Sequence, residues 1–108
     1  MESERACWIR FGSLPKADID GAVKDRMGGI RGCYQRELLK NPNLSGTVTV
    51  KFVIAPDGSV RSADIKSTTW NDAQVEGCIA EALLRCEFPE PTGGGIVIVS
   101  CPFVFTPG

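Results

Sequence analysis

Apolar and polar positions change period several times along the chain, and each period predicts an element. From Lys16 to Lys40, Ile19, Val23, Met27, Ile30, Tyr34 and Leu38 recur in steps of three and four, the spacing that keeps one helical face apolar. Gly21, Gly28, Gly29 and Gly32 oppose that helix, each by about 1 kcal/mol relative to alanine, and the Gly28-Gly29 pair is the expected point of a kink or split. Ser13-Leu14-Pro15 forms the entrance and Asn41-Pro42-Asn43 the end. From Gly46 to Ile54 the period drops to two, with Val48, Val50, Phe52 and Ile54 on one face of a strand.

Ala55-Pro56-Asp57-Gly58 follows as a turn, proline presetting φ and glycine accepting a positive φ. In the return strand, Ser59 to Ser67, the parity breaks between Val60 and the pair Ala63 and Ile65, which predicts a β-bulge near Arg61-Ser62. Asn71 to Gln74 resembles a capping box. It opens a second helix whose Val75, Cys78, Ile79, Ala82 and Leu83 share a face. Trp70, just before that cap, is a candidate contact residue if exposed, and otherwise packs locally like Trp8. Residues 7–11 alternate weakly and read equally as a short strand or a loose tail.

The last segment, Ile96 to Phe105, is a strand with Val97, Val99, Cys101, Phe103 and Phe105 on one face. Its opposite face carries Ile96 and Ile98, where a solvated sheet carries polar residues. Pro102 cannot donate to a ladder, so one side of this strand is expected to be unpaired there: the strand is an edge, or becomes one near its end. The expected fold is therefore α+β: two helices on one face of a three-stranded antiparallel sheet, in the order α-β-β-α-β. Residues 1–12 are an N-terminal extension or linker remnant, and 13–108 the domain.

Charge and composition narrow the function. Twelve basic and thirteen acidic residues give a net charge of -1, with the two signs interleaved, as in Lys24-Asp25-Arg26. Nothing in that pattern asks for nucleic acid or an anionic membrane. No apolar run approaches the roughly 18–20 residues of a membrane span. Residues 1–5 lack the apolar stretch of a signal peptide, so any export signal or anchor is expected on sequence outside this chain. The chain has no histidine, the commonest general base and metal ligand, and its carboxylates show no convergent pattern. An enzyme is not expected, nor any cofactor or metal. Gly93-Gly94-Gly95 precedes a strand rather than a helix, with no Lys-Ser/Thr after it, so it does not read as a phosphate loop. Its expected role is conformational freedom at the strand entrance, or close backbone approach by a partner.

Asn43-Leu44-Ser45-Gly46-Thr47-Val48-Thr49-Val50-Lys51-Phe52-Val53-Ile54-Ala55-Pro56-Asp57-Gly58-Ser59-Val60 is similar to the hairpin of TonB C-terminal domains. Glu76, Ala82, Leu83, Phe88 and Pro89 match the end of their second helix. A narrower resemblance is to the C-terminal domain of AgmX/PglI-type proteins of gliding bacteria. It is carried by Ile30-Arg31-Gly32-Cys33-Tyr34-Gln35-Arg36-Glu37-Leu38, Val75-Glu76-Gly77-Cys78-Ile79 and Phe88 through Phe105. Two departures are Cys86, where an aromatic is expected, and Cys101, where tyrosine is expected. The resemblance implies a periplasmic domain of an inner-membrane-anchored protein, coupling inner-membrane energy to an outer-membrane partner in motility or transport. It further implies that a partner's peptide segment adds as a strand to the sheet edge, here the strand bearing Ile96, Val97, Ile98, Val99, Ser100, Pro102 and Val104. The alternative is a homodimer paired through that same edge.

The five cysteines, at 7, 33, 78, 86 and 101, contain no C-x-x-C pair, which leaves disulfides or buried thiols. Cys33 and Cys78 fall on the apolar faces of the two helices. A bridge between them is sterically reasonable if both helices pack on one sheet face; the alternative is two buried thiols. Cys86 and Cys101 form a second candidate pair, joining the end of the second helix to the last strand. Cys7 is then left free or intermolecular. A thiol redox sensor using Cys86, Cys101 or Cys7 is a third and weaker functional reading.

Overall fold

A computed structural model of the chain describes residues 2–4, 7–69 and 73–106. The expected capping residues Asn71 and Asp72, and Trp70, lie outside the described residues. In chain order the elements are β1 (Glu2–Glu4), β2 (Trp8–Phe11), α1 (Lys16–Asp25), α2 (Met27–Leu38), β3 (Gly46–Ile54), β4 (Val60–Thr68), α3 (Ala73–Leu84) and β5 (Val97–Phe105). Among the described residues the fold is α+β, but with three α-helices and a five-stranded antiparallel sheet rather than two and three. Its order is β1-β5-β3-β4, with β2 also pairing β5.

Both corrections have local causes. The long first helix breaks at Arg26 (φ −101°, ψ 0°), two residues before the Gly28-Gly29 pair. There the Arg26 amide donates to the Val23 carbonyl at 3.0 Å, a tightened turn, before helical bonding resumes from Ile30 N to Arg26 O at 3.1 Å. The break lets Ile19 and Val23 of α1, and Ile30, Cys33 and Tyr34 of α2, all reach the core. The extra strands come from the segment read as an extension or linker remnant. Glu2–Glu4 pair with Phe103–Phe105, and Trp8–Phe11 with Ile98–Ser100.

One face of the sheet meets the helices. Val48, Val50, Phe52 and Ile54 of β3 and Val97, Val99, Cys101, Phe103 and Phe105 of β5 are wholly buried. They form one apolar cluster with Ile19, Val23, Ile30, Tyr34, Val75, Ile79 and Leu83 from the helices. Tyr34 packs against Phe105 in a tilted pair with ring centroids 5.0 Å apart, and Phe52 stacks on Phe88 at 5.8 Å. The Tyr34 hydroxyl donates to the Leu44 carbonyl, so the ring enters the core without stranding its polar end.

The β3–β4 register shifts between Ser62 and Val60, where Arg61 is the extra residue. That bulge returns Val60 to the face of Ala63 and Ile65, and all three pack on the core. A second shift, at Lys66, has no parity signal in the sequence. At the hairpin tip, Gly58 adopts φ +91° against the backbone of Phe88. The Phe88 amide donates to the Gly58 carbonyl at 3.0 Å, tying the turn to the segment after α3. Asp57 accepts from the Ser59 amide (3.0 Å) and hydroxyl (2.6 Å), and these bonds hold its carboxyl below the usual carboxylate value of 3.8.

Candidate functional site

The segment expected to receive a partner is β5, and its position differs from the expectation. β5 is not an edge. One side pairs with β3 over its full length, from Gly46 opposite Phe105 to Ile54 opposite Val97, and the other carries β1 and β2. Val97 and Val99 lie on the core face and Ser100 is buried, while Ile98, Pro102 and Val104 are half-buried on the opposite face. Ile96 is half-buried and immediately precedes the strand.

Pro102 lies between the β5 residues that face β1 and those that face β2. Cys7 and Cys101 approach to a Cα–Cα distance of 4.3 Å, the spacing of a non-hydrogen-bonded antiparallel pair. On that geometry the Cys101 amide faces β3, and the Pro102 nitrogen faces the N-terminal arm. The missing donor therefore costs the β3–β5 ladder nothing. The proline sits in a strand flanked on both sides and does not mark an edge.

The disulfides define how the arm is held. Cys7 bridges Cys101, joining β5 to the arm between β1 and β2. The expected Cys86–Cys101 pair is thus not formed, and Cys7 is neither free nor intermolecular. Cys101 points to the core side of β5 with Cys7 directly beside it, whereas Cys86 lies by the Ala22 carbonyl of α1, 4.0 Å away. Cys86 is a buried free thiol, and burial pushes it up to about 11. Cys33 bridges Cys78 across α2 and α3, with Cα atoms 5.8 Å apart. Beside that bridge is a cleft of about 410 Å³ whose lining includes Gly32, Arg36, Glu81 and Arg85. The Arg36 guanidinium lies 2.9 Å from the Cys78 sulfur.

The sheet face away from the helices presents a second surface. Trp8 and Phe11 are about half exposed (45% and 59%), so Trp8 is not the local packing anchor expected of it. Both line a groove of about 290 Å³ with Ile98 and Ser100 of β5 and the lysines at 51 and 66. Sequence reasoning missed this surface. The only available signal was the apolar outer face at Ile98, which lies opposite Phe11.

Gly93 and Gly94 adopt φ +83° and +78°, which fits glycine to the turn entering β5. The Thr92 amide beside them donates to Ser13 at 2.9 Å, docking the loop at the start of α1. Among the described residues no cluster of carboxylates and cysteines is arranged to hold a metal, and no helix is long and apolar enough to cross a membrane.

No family model, curated protein or solved structure matches this chain.

Proposed function

We propose that the chain is a non-catalytic, periplasmic protein-binding domain of a TonB-like envelope protein, which engages an outer-membrane partner by strand addition beside β5. The observation that carries this reading is that β5 already accepts added antiparallel strands from the chain's own N-terminus. The two strands are short, three and four residues, and they are held unequally. β2 lies between the Cys7–Cys101 bridge and the chain's entry into α1, so it cannot leave while the bridge is intact. β1 lies on the N-terminal side of the bridge, outside the loop it closes, and its described pairing is with Phe103–Phe105. A partner segment therefore displaces β1 and takes its ladder bonds along Phe103–Phe105.

Other features favour the same side. The far edge, β4, carries two bulges and exposed Arg61 and Lys66, devices that discourage strand pairing. The two disulfides support an oxidising compartment outside the cytoplasm. Coupling of inner-membrane energy to that partner is the role the family resemblance implies.

Titration of the ¹⁵N-labelled domain, disulfides intact, with periplasm-facing peptides of outer-membrane proteins tests the reading. Amide shifts concentrated at Phe103, Val104 and Phe105 are expected. Binding that leaves these amides unmoved, or no binding by any such peptide, counts against it.

A further inference from the structure

The groove on the helix-free face of the sheet has a chemistry that strand addition does not use. Its floor is Ser100 and Ile98 of β5. One wall is aromatic, formed by Trp8 and Phe11 of β2. The other is cationic, formed by Lys51 of β3, directly opposite Ser100, and Lys66 of β4, with Thr49 of β3 beside them, and Arg10 adds a third cation from β2. The register explains how these residues meet. Trp8, Ser100, Lys51 and Asp64 form one row across four strands, and Phe11, Ile98, Val53 and Ser62 form the next. Lys66 is the extra residue at the second β4 bulge and still lines the groove.

Two properties decide the occupant. Among the described residues, two of the four large apolar side chains that are prominently exposed, Trp8 and Phe11, sit here together, as at a contact surface. The charge is local and runs against the molecule as a whole: among the described residues three cations and no carboxylate line the groove, in a chain of net charge -1. Asp64 stands directly opposite Lys51 at the end of the row that runs from Trp8, outside the groove's lining. A long polyanion such as single-stranded nucleic acid needs a continuous basic track, and the overall charge and interleaved signs do not supply one. A short acidic segment needs only the local field.

We infer that this groove binds an acidic polypeptide segment, setting the alkyl stem of a glutamate or a neighbouring apolar side chain against Trp8 and Phe11 and its carboxylates against Arg10, Lys51 and Lys66. The aromatic wall excludes water from one side of each ion pair, which strengthens contacts that are weak in the open. The site is on the face, so it stands or falls separately from strand addition at Phe103–Phe105.

The test is an NMR titration of the intact, oxidised domain with a short synthetic peptide alternating glutamate and leucine. Its glutamine and lysine counterparts and an oligothymidylate of matching length serve as comparisons. The glutamate peptide is expected to shift the Trp8 indole and the amides of Arg10, Lys51, Lys66 and Ser100, and to bind more weakly as salt rises. The Lys51→Glu, Lys66→Glu double variant, with its fold checked by its amide spectrum, is expected to bind on the order of ten-fold more weakly. Equal binding of the glutamine peptide, binding of the oligothymidylate alone, shifts confined to other surfaces, or concentration-dependent shifts at these residues without peptide would each overturn the assignment. The last result would instead mark the groove as a contact between copies.

Discussion

Cys86 shows how burial changes a side chain's chemistry. With the disulfides taking the other four cysteines, it is the one free thiol, buried beneath α1 with its ionisation pushed up to about 11 from 9.0 by desolvation. It is therefore expected to resist alkylation near neutral pH in the native protein and to react fully after denaturation, measured by mass spectrometry. The sign for stability follows from the raised value. A thiol harder to ionise when folded contributes stability that is fully present below about 9 and is lost as pH rises towards about 11. Denaturation midpoints of the wild type should thus fall relative to Cys86→Ala across that interval. Tyr34 is the other buried group with chemistry to satisfy. Tyr34→Phe removes the donor to Leu44 and leaves that carbonyl short of a partner, which should cost about 1–2 kcal/mol in urea unfolding. The sequence marks Tyr34 as a core or capping residue by its period. The partner ten residues on depends on how the chain turns after α2.

At the scale of elements, the two bridges divide the work. Cys33–Cys78 ties α2 to α3, and Cys7–Cys101 ties the arm to the sheet centre. Replacing either pair by alanine should lower stability by about 2–4 kcal/mol, with more expected for Cys7 and Cys101 because their bridge closes the longer loop, 94 residues against 45. Hydrogen exchange separates the pairs further. Loss of Cys7–Cys101 should deprotect the amides of Trp8–Phe11, whereas loss of Cys33–Cys78 should leave them protected. The helix-face period of Cys33 and Cys78 made their proximity legible in the sequence. The Cys7–Cys101 pair was not legible, because residues 7–11 alternate too weakly to announce a strand, and nothing local tells which strand they join. The bulge at Arg61 was legible from parity, while the one at Lys66 leaves no such trace in Ile65-Lys66-Ser67.

For the whole molecule, the arrangement of edges governs association. The β5 side carries the chain's own arm and β4 is guarded by charge and bulges, so the isolated domain is expected to sediment as a monomer across a concentration series. Self-association through β5 would require the arm to leave in both copies, and a concentration-dependent dimer would return the oligomerisation reading to the front. The candidate groove belongs to this scale too: Trp8, Ile98, Lys51 and Lys66 are scattered through the sequence and meet only because β2, β5, β3 and β4 lie side by side. By itself the sequence determined the α+β class, the β3–β4 hairpin with its turn, the apolar strand that became β5, and which helix faces are buried. Each of these follows from local period and turn chemistry, which neighbouring residues carry between them. Only the tertiary structure decided that β5 is central, that Pro102 lies in a strand flanked on both sides rather than at an edge, and that Cys101 takes Cys7 and not Cys86. Strand order and pairing partner depend on contacts between distant segments, and an apolar strand reads the same in sequence whether its second side meets water, a partner or the chain's own beginning.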